Sequence, residues 1–265
     1  MQKLSTIAIG ILKKVLFYII LIMIWELVYK IFVDTLNLWK PYTFPSPMDV
    51  LNTLIDLIGD NTLFLAIIAS LRRLFIGYII SLVVGILVGL FIVKYKYIDE
   101  NLSPLILGLQ TIPSVCWIPF AILWYGINEN SILFVTVIGS IFSIAISTEA
   151  AIKNVNPIYV KAARTMGASG RKLYFNVVIP SALPGIVSGM KQGWSFAWRA
   201  LMAGEMLSAS KGLGQVLMAG RDLGDVSQVM AVMIVIVAFG LIFDKLLFGK
   251  FEKSIRYKCG LERKN

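Results

Sequence analysis

Apolar residues run through the chain in six long blocks separated by short polar stretches, at about 15–33, 62–93, 102–125, 131–150, 182–208 and 226–248. Each block approaches or exceeds the roughly 20 residues a helix needs to cross a bilayer. A backbone surrounded by lipid must satisfy its own hydrogen bonds, so blocks of this length predict membrane-spanning helices. The fold class expected is all-α: a polytopic membrane protein with about six transmembrane helices.

The punctuation of the blocks refines this picture. The second opens on a polar lead-in, Ser70-Leu71-Arg72-Arg73, and contains Gly85 and Gly89, a spacing that lets another helix approach closely. The third is interrupted by Pro113 and Pro119 in QTIPSVCWIPF, which predicts a kinked or broken helix. The first follows Lys13 and Lys14 as a signal peptide would, but no small-residue cleavage site follows, and Glu26 and Lys30 interrupt its end. It reads as an anchor. With no internal repeat or low-complexity stretch, the expected organisation is an amino-terminal segment 1–14, one membrane domain 15–250 with a polar loop at 151–181, and a basic tail 251–265.

Composition agrees: 58% of the 265 residues are hydrophobic and 15% are charged, too apolar a balance for a soluble domain of this length. The net charge of +10 raises the question of nucleic acid, yet the basic residues lie between and beyond the apolar blocks and form no stripe with interleaved aromatics. They read as topology signals. With a cytoplasmic amino terminus, inside segments collect Lys3, Lys13, Lys14, Lys94, Lys96, Lys153, Lys161, Arg164, Arg171, Lys172 and the tail, whereas the outside loops hold Lys40, Lys211 and Arg221. Both termini and the 151–181 loop are then cytoplasmic, in a multi-pass plasma membrane protein, and segment 34–61 is a structured connection outside.

Several chemistries drop out. Histidine is absent, and Cys116 and Cys259 stand far apart, so neither a Cys/His metal site nor a disulfide framework is available. A Ser/His/Asp triad is excluded for the same reason. No enzyme, metal or cofactor is expected from the chain itself.

Residues 156–180, NPIYVKAARTMGASGRKLYFNVVIP, carry their own helix signals. Asn156 is a good N-cap, Pro157 suits the first turn, and Gly167 is placed to end the helix in a left-handed corner. Ser169 starts a second short helix through Phe175, which Pro180 closes before the fifth block. Ile158, Tyr159 and Met166 offer large apolar groups beside the small Ala162, Ala163 and Ala168, rimmed by Lys161, Arg164, Arg171 and Lys172. Such a knob suits a groove on another protein; a basic interfacial loop that only fixes topology is the competing reading.

The segment resembles the "EAA" loop of binding-protein-dependent ABC importer permeases: EAA, three residues, Gly, nine residues, Ile, any residue, Leu, Pro. Lys161-Ala162-Ala163, Gly167, Val177, Ile179 and Pro180 reproduce the spacing. The literal Glu149-Ala150-Ala151 has Val155 where the glycine belongs, so it lies outside the register. Lys161 replaces the usual glutamate. The resemblance, over residues 60–250, implies the type I ABC importer permease fold. It also implies a pair of permease chains, here a homodimer, around a translocation path, and an extracytoplasmic solute-binding protein. Each loop, through Pro157, Tyr159, Lys161 to Arg164, Met166 to Ala168 and Pro180, docks into a cytoplasmic ATPase subunit. The chain has no GxxxxGK[ST] pattern, so ATP is bound by that partner. SLRRLFIGYIISLVVGILVGL, TIPSVCWIPFAILWYGI and MKQGWSFAWRALMAGEML with Gly212-Leu213-Gly214 look like the branch that handles nitrate, sulfonates, taurine and bicarbonate. That branch also contains importers of thiamine precursors.

In the fifth block Lys191, Arg199 and Glu205 are ionisable groups at membrane depth, which belong against a partner or a water-filled path. Arg199 and Glu205 are six residues apart, roughly 600° of rotation at about 100° per residue, and so point to different faces. Trp194, Trp198, Arg199 and Glu205 are candidate path residues, with Arg199 favouring an anion; for Arg199 a structural ion pair is the other reading. Glu149 is expected to pair with Lys153 one turn on. Against a permease stand a secondary transporter, which calls for repeated halves with paired broken helices, and a membrane enzyme, for which no catalytic cluster is visible.

Overall fold

The computed structural model describes residues 2–249, with side chains from Leu12 onward except at residue 247. The basic tail, Cys259 within it, and Lys3 of the amino-terminal segment lie outside the residues whose side chains are described. Eleven α-helices make up these residues: α1 (Gln2–Tyr29), α2 (Pro47–Gly59), α3 (Thr62–Lys94), α4 (Lys96–Thr111), α5 (Ile118–Tyr125), α6 (Glu129–Lys153), α7 (Pro157–Thr165), α8 (Gly170–Leu173), α9 (Ile179–Met206), α10 (Leu213–Asp222) and α11 (Val226–Phe243). Five helical stretches are long and apolar enough to cross a membrane. The pair Lys96–Thr111 and Ser114–Tyr125, which meet at 99°, is apolar enough together for a broken span or a re-entrant loop, so the spans number five or six among the described residues. The break falls at Ile112-Pro113 and Pro119 opens α5, as the proline spacing predicts.

Two compact units are distinguished, one comprising the residues up to Leu65 with Val216–Val235, the other Ala66–Gln215 with the segment from Ile236 onward. In the first, α1 exposes apolar side chains from Leu12 to Leu27, the surface a lipid-facing helix presents. Trp25 Nε1 donates to Pro45 O at 3.1 Å, holding α1 against the start of α2. A capping box opens α2: Ser46 accepts from Asp49 N while Asp49 Oδ2 accepts from Ser46 N.

The second unit is organised around α6. Glycines let its neighbours come close, because in a membrane helices associate through backbone approach and not through exclusion of water. Gly77 of α3 meets Thr136, Gly85 meets Ile144 and Gly89 meets Thr148, a constant offset that makes α3 and α6 parallel. On the other side Gly185 meets Ala151, Gly189 meets Ser147, Gly193 meets Ile144 and Gly204 meets Ile132, so α9 runs antiparallel to α6. The Gly85/Gly89 spacing is therefore packing. At the foot of α6, Ile152 packs with Ala182 and Ile186 of α9, flanked by Leu90 and Val93 of α3.

One expectation is corrected. Pro180 does not end a separate short helix; the chain is helical from Gly170 through Met206, passing through a π turn at Tyr174–Val178 into α9. Pro180 lies within the first two positions of α9, where proline is tolerated, and the π turn loosens the hydrogen-bond ladder just before it.

Candidate functional site

The polar loop folds as its sequence signals require. Asn156 caps α7, its side chain accepting from Ile158 N at 2.9 Å, with Pro157 in the first turn. The helix ends in a Schellman motif: Ala168 N donates to Ala163 O and Gly167 N to Arg164 O, both at 2.9 Å. Gly167 takes φ +84°, a left-handed conformation that strains any residue with a side chain. Ala163 is buried under the corner, while Ile158, Tyr159 and Met166 are exposed, Met166 at 81%. Lys161, Ala162 and Arg164 are exposed as well, Ala168 and Pro180 partly buried. α7 thus presents three large apolar groups and a basic rim to the outside.

A cavity of about 250 Å³ opens at the break between α4 and α5. Gln110, Pro113 and Ser114 line it from the break, Trp117 and Phe142 from the flanks, and Phe196 with Arg199 from α9. Arg199 is exposed, has no carboxylate partner among the described residues, stacks on Phe196 at 4.7 Å and donates from Nε to Ser195 O at 3.3 Å. The other candidate path residues lie elsewhere. Trp194 is buried against Phe75, Tyr78 and Phe243, and Trp198 lies over Gly240 of α11. Lys191 pairs with Asp244 at 3.2 Å.

Glu205 is wholly enclosed, and it belongs to a network that sequence reasoning did not assemble. Ser70 Oγ donates to its carboxylate at 2.7 and 2.9 Å and accepts from Leu213 N. Arg73, only 3% exposed, reaches Glu205 at 2.9 Å, Glu129 at 2.8 Å and Lys211 O at 2.6 Å, and Gly214 N donates to Glu205 at 3.1 Å. Any side chain at Gly212 would run into the Glu205 carboxylate. The Gly-Leu-Gly run is thus the backbone that closes over a buried charge, and the lead-in Ser70–Arg73 supplies the partners. At the other end of α6, Glu149 and Lys153 pair at 2.8 Å as expected, and Asp99 and Ser103 of α4 join them.

Among the described residues, no group of His, Cys, Asp and Glu could hold a metal ion. The arrangement offers a capped helix with exposed apolar groups, a cavity bordered by a guanidinium with no carboxylate partner among the described residues, and ionic joints between helices.

Residues 81–257, which include α7 and the cavity, match the family described as the binding-protein-dependent transport system inner membrane component. The taurine transport system permease protein of Escherichia coli (strain K12) is 32% identical over 214 residues, 78% of each chain. The formylaminopyrimidine transport permease protein of Halalkalibacterium halodurans is 32% identical over 203 residues, 77% of this chain and 78% of its own. In fold, the chain is similar to the methionine ABC transporter MetNI in an inward-facing conformation, with a TM-score of 0.63 at 20% identity over 73% of this chain and 95% of that one.

Proposed function

The chain belongs to the family of binding-protein-dependent transport system inner membrane components and is a permease subunit of an ABC importer, and we propose that it passes a small solute with an anionic group along a path lined by Arg199. The observation that carries this reading is the Arg199 guanidinium at the cavity wall with no carboxylate partner among the described residues. An arginine at membrane depth is costly unless it serves a water-filled path or a partner. Its planar fork suits a sulfonate or carboxylate, the chemistry that the name of the taurine relative suggests.

In this reading α7 docks the ATPase subunit, with Ile158, Tyr159 and Met166 in its cleft and Lys161, Arg164 and the exposed Arg171 and Lys172 at the rim. A solute-binding protein delivers the substrate on the opposite side, a second copy of the chain completes the path, and both termini face the cytoplasm. Glu205 and Trp194 act on the path through the helices they hold and do not face the cavity in this conformation. A second reading, a flat nitrogen heterocycle such as a pyrimidine precursor, is favoured by the aromatic walls Trp117, Phe142 and Phe196 and by the name of the formylaminopyrimidine relative.

The partner binding protein separates the two, because a bound ligand raises its melting temperature by mass action. Taurine, alkanesulfonates, nitrate, bicarbonate and pyrimidines are the panel. With the stabilising solute in proteoliposomes, Arg199→Gln is expected to lower uptake about tenfold, the loss of one charge-assisted hydrogen bond, with ATPase co-purification unchanged. Full uptake of an anion by that variant would remove Arg199 from the path.

A further inference from the structure

The foot of α6 carries a polar cluster that the transport reading leaves unused. Lys153 Nζ donates to Asp99 Oδ1 of α4 and, at 2.8 Å, to Glu149 Oε1, while Ser103 Oγ of α4 donates at 2.6 Å to Glu149 Oε2. One ammonium group therefore holds carboxylates on two helices, and a serine closes the ring. Glu149 is 8% exposed, so its charge leans on Lys153 and Ser103 more than on water.

The cluster sits between α7 and the broken helix. Lys153 is the last residue of α6, and the α7 cap, Asn156, follows three residues later. From Asp99 and Ser103, α4 runs directly to the break at Ile112-Pro113 that forms the cavity wall. Among the described residues, the hydrogen bonds that tie α4 to α6 are Lys153 to Asp99 and Ser103 to Glu149. The apolar cluster at this foot joins α6 to α3 and α9, and α4 also packs along α6. Apolar surfaces slide past one another with little preference of register, whereas a hydrogen-bonded ion pair fixes one arrangement.

We propose that Lys153 is the joint that passes a displacement of α7 into α4 and so to the cavity wall. It is a positioning residue: it touches no solute, and it determines whether the broken helix follows the docking knob. The proposal rests on α7 being the ATPase-docking segment.

The test uses the full importer, this chain with its ATPase, in nanodiscs. A Cys259→Ser background leaves Cys116 as the remaining cysteine of the two in the chain. Cys116 is exposed and lies in the Ser114–Trp117 turn just past the break, where it reports on the cavity wall. Its modification rate by N-ethylmaleimide is followed by mass spectrometry with and without ATP and vanadate. The background is expected to show at least a threefold change in rate on vanadate trapping. Lys153→Met is expected to abolish that change while ATPase co-purification and vanadate trapping stay intact, and Lys153→Arg to preserve it. Asp99→Asn, which opens the same joint from α4, should behave like Lys153→Met. A parental rate change in both Lys153→Met and Asp99→Asn overturns the proposal. So does a background rate that ignores nucleotide, and so does loss of ATPase association in both variants, since the cluster would then serve assembly alone. Failure of the ATPase to associate with the background chain would instead overturn the docking role of α7.

Discussion

Glu205 and Arg73 form an ion pair at 2.9 Å inside the second unit. Both are almost fully enclosed, and Arg73 is shared with the half-exposed Glu129. Removing one partner of a buried pair leaves the other charge uncompensated, at a cost of about 3–5 kcal/mol. Arg73→Met is therefore expected to lower the melting temperature in detergent sharply. Glu205→Gln should lower it less, because its amide oxygen still accepts from Arg73, which keeps Glu129. Equal shifts would mean that the network does not bear on stability as its geometry implies. The sequence marks Glu205 as a charge needing a partner at membrane depth; it cannot name one, since Ser70 and Arg73 lie 135 and 132 residues away. Arg199 was legible by the same argument, but its place beside the broken helix came from packing.

At the scale of elements, the second unit is a sandwich of α3, α6 and α9 with glycines at its two seams. A side chain at Gly189 would run into Ser147, whereas one at Gly108 of α4 would meet nothing within 4 Å. Gly189→Ala is expected to destabilise by about 1–3 kcal/mol through overpacking, and Gly108→Ala to leave the melting temperature unchanged or higher. The reverse order would contradict the seam. Here the primary structure is informative where a signal is local. The cap at Asn156, the corner at Gly167 and the break at Pro113 all follow from one residue's backbone chemistry and appear where expected. Pro180 shows the limit: a proline stops a helix only if nothing upstream makes room for it, and the π turn at Tyr174–Val178 does. No pattern of apolar residues announces such a turn.

For the whole molecule, the proposed topology, with the 151–181 loop and both termini on one side, rests on the uneven distribution of Lys and Arg. An impermeant maleimide applied from outside to cells carrying Cys116→Ser and Cys259→Ser is expected to label Lys211→Cys and to spare Tyr159→Cys, both exposed positions. Labelling of both, or of Tyr159→Cys alone, would reverse or break the proposed topology. By itself, the amino-acid sequence determined the all-α class with five or six apolar spans, the broken third helix, the class of protein and the register of the α7 cap and corner. Each of these depends on the length of an apolar run, on a proline or glycine, or on a fixed spacing along the chain. Tertiary structure alone decided which charges are paired, that α3 and α9 flank α6, that Arg199 borders a cavity, and that Lys153 reaches α4 beside the knob. Those facts join residues tens to more than a hundred positions apart, and only the close approach of helices over their glycines brings them together.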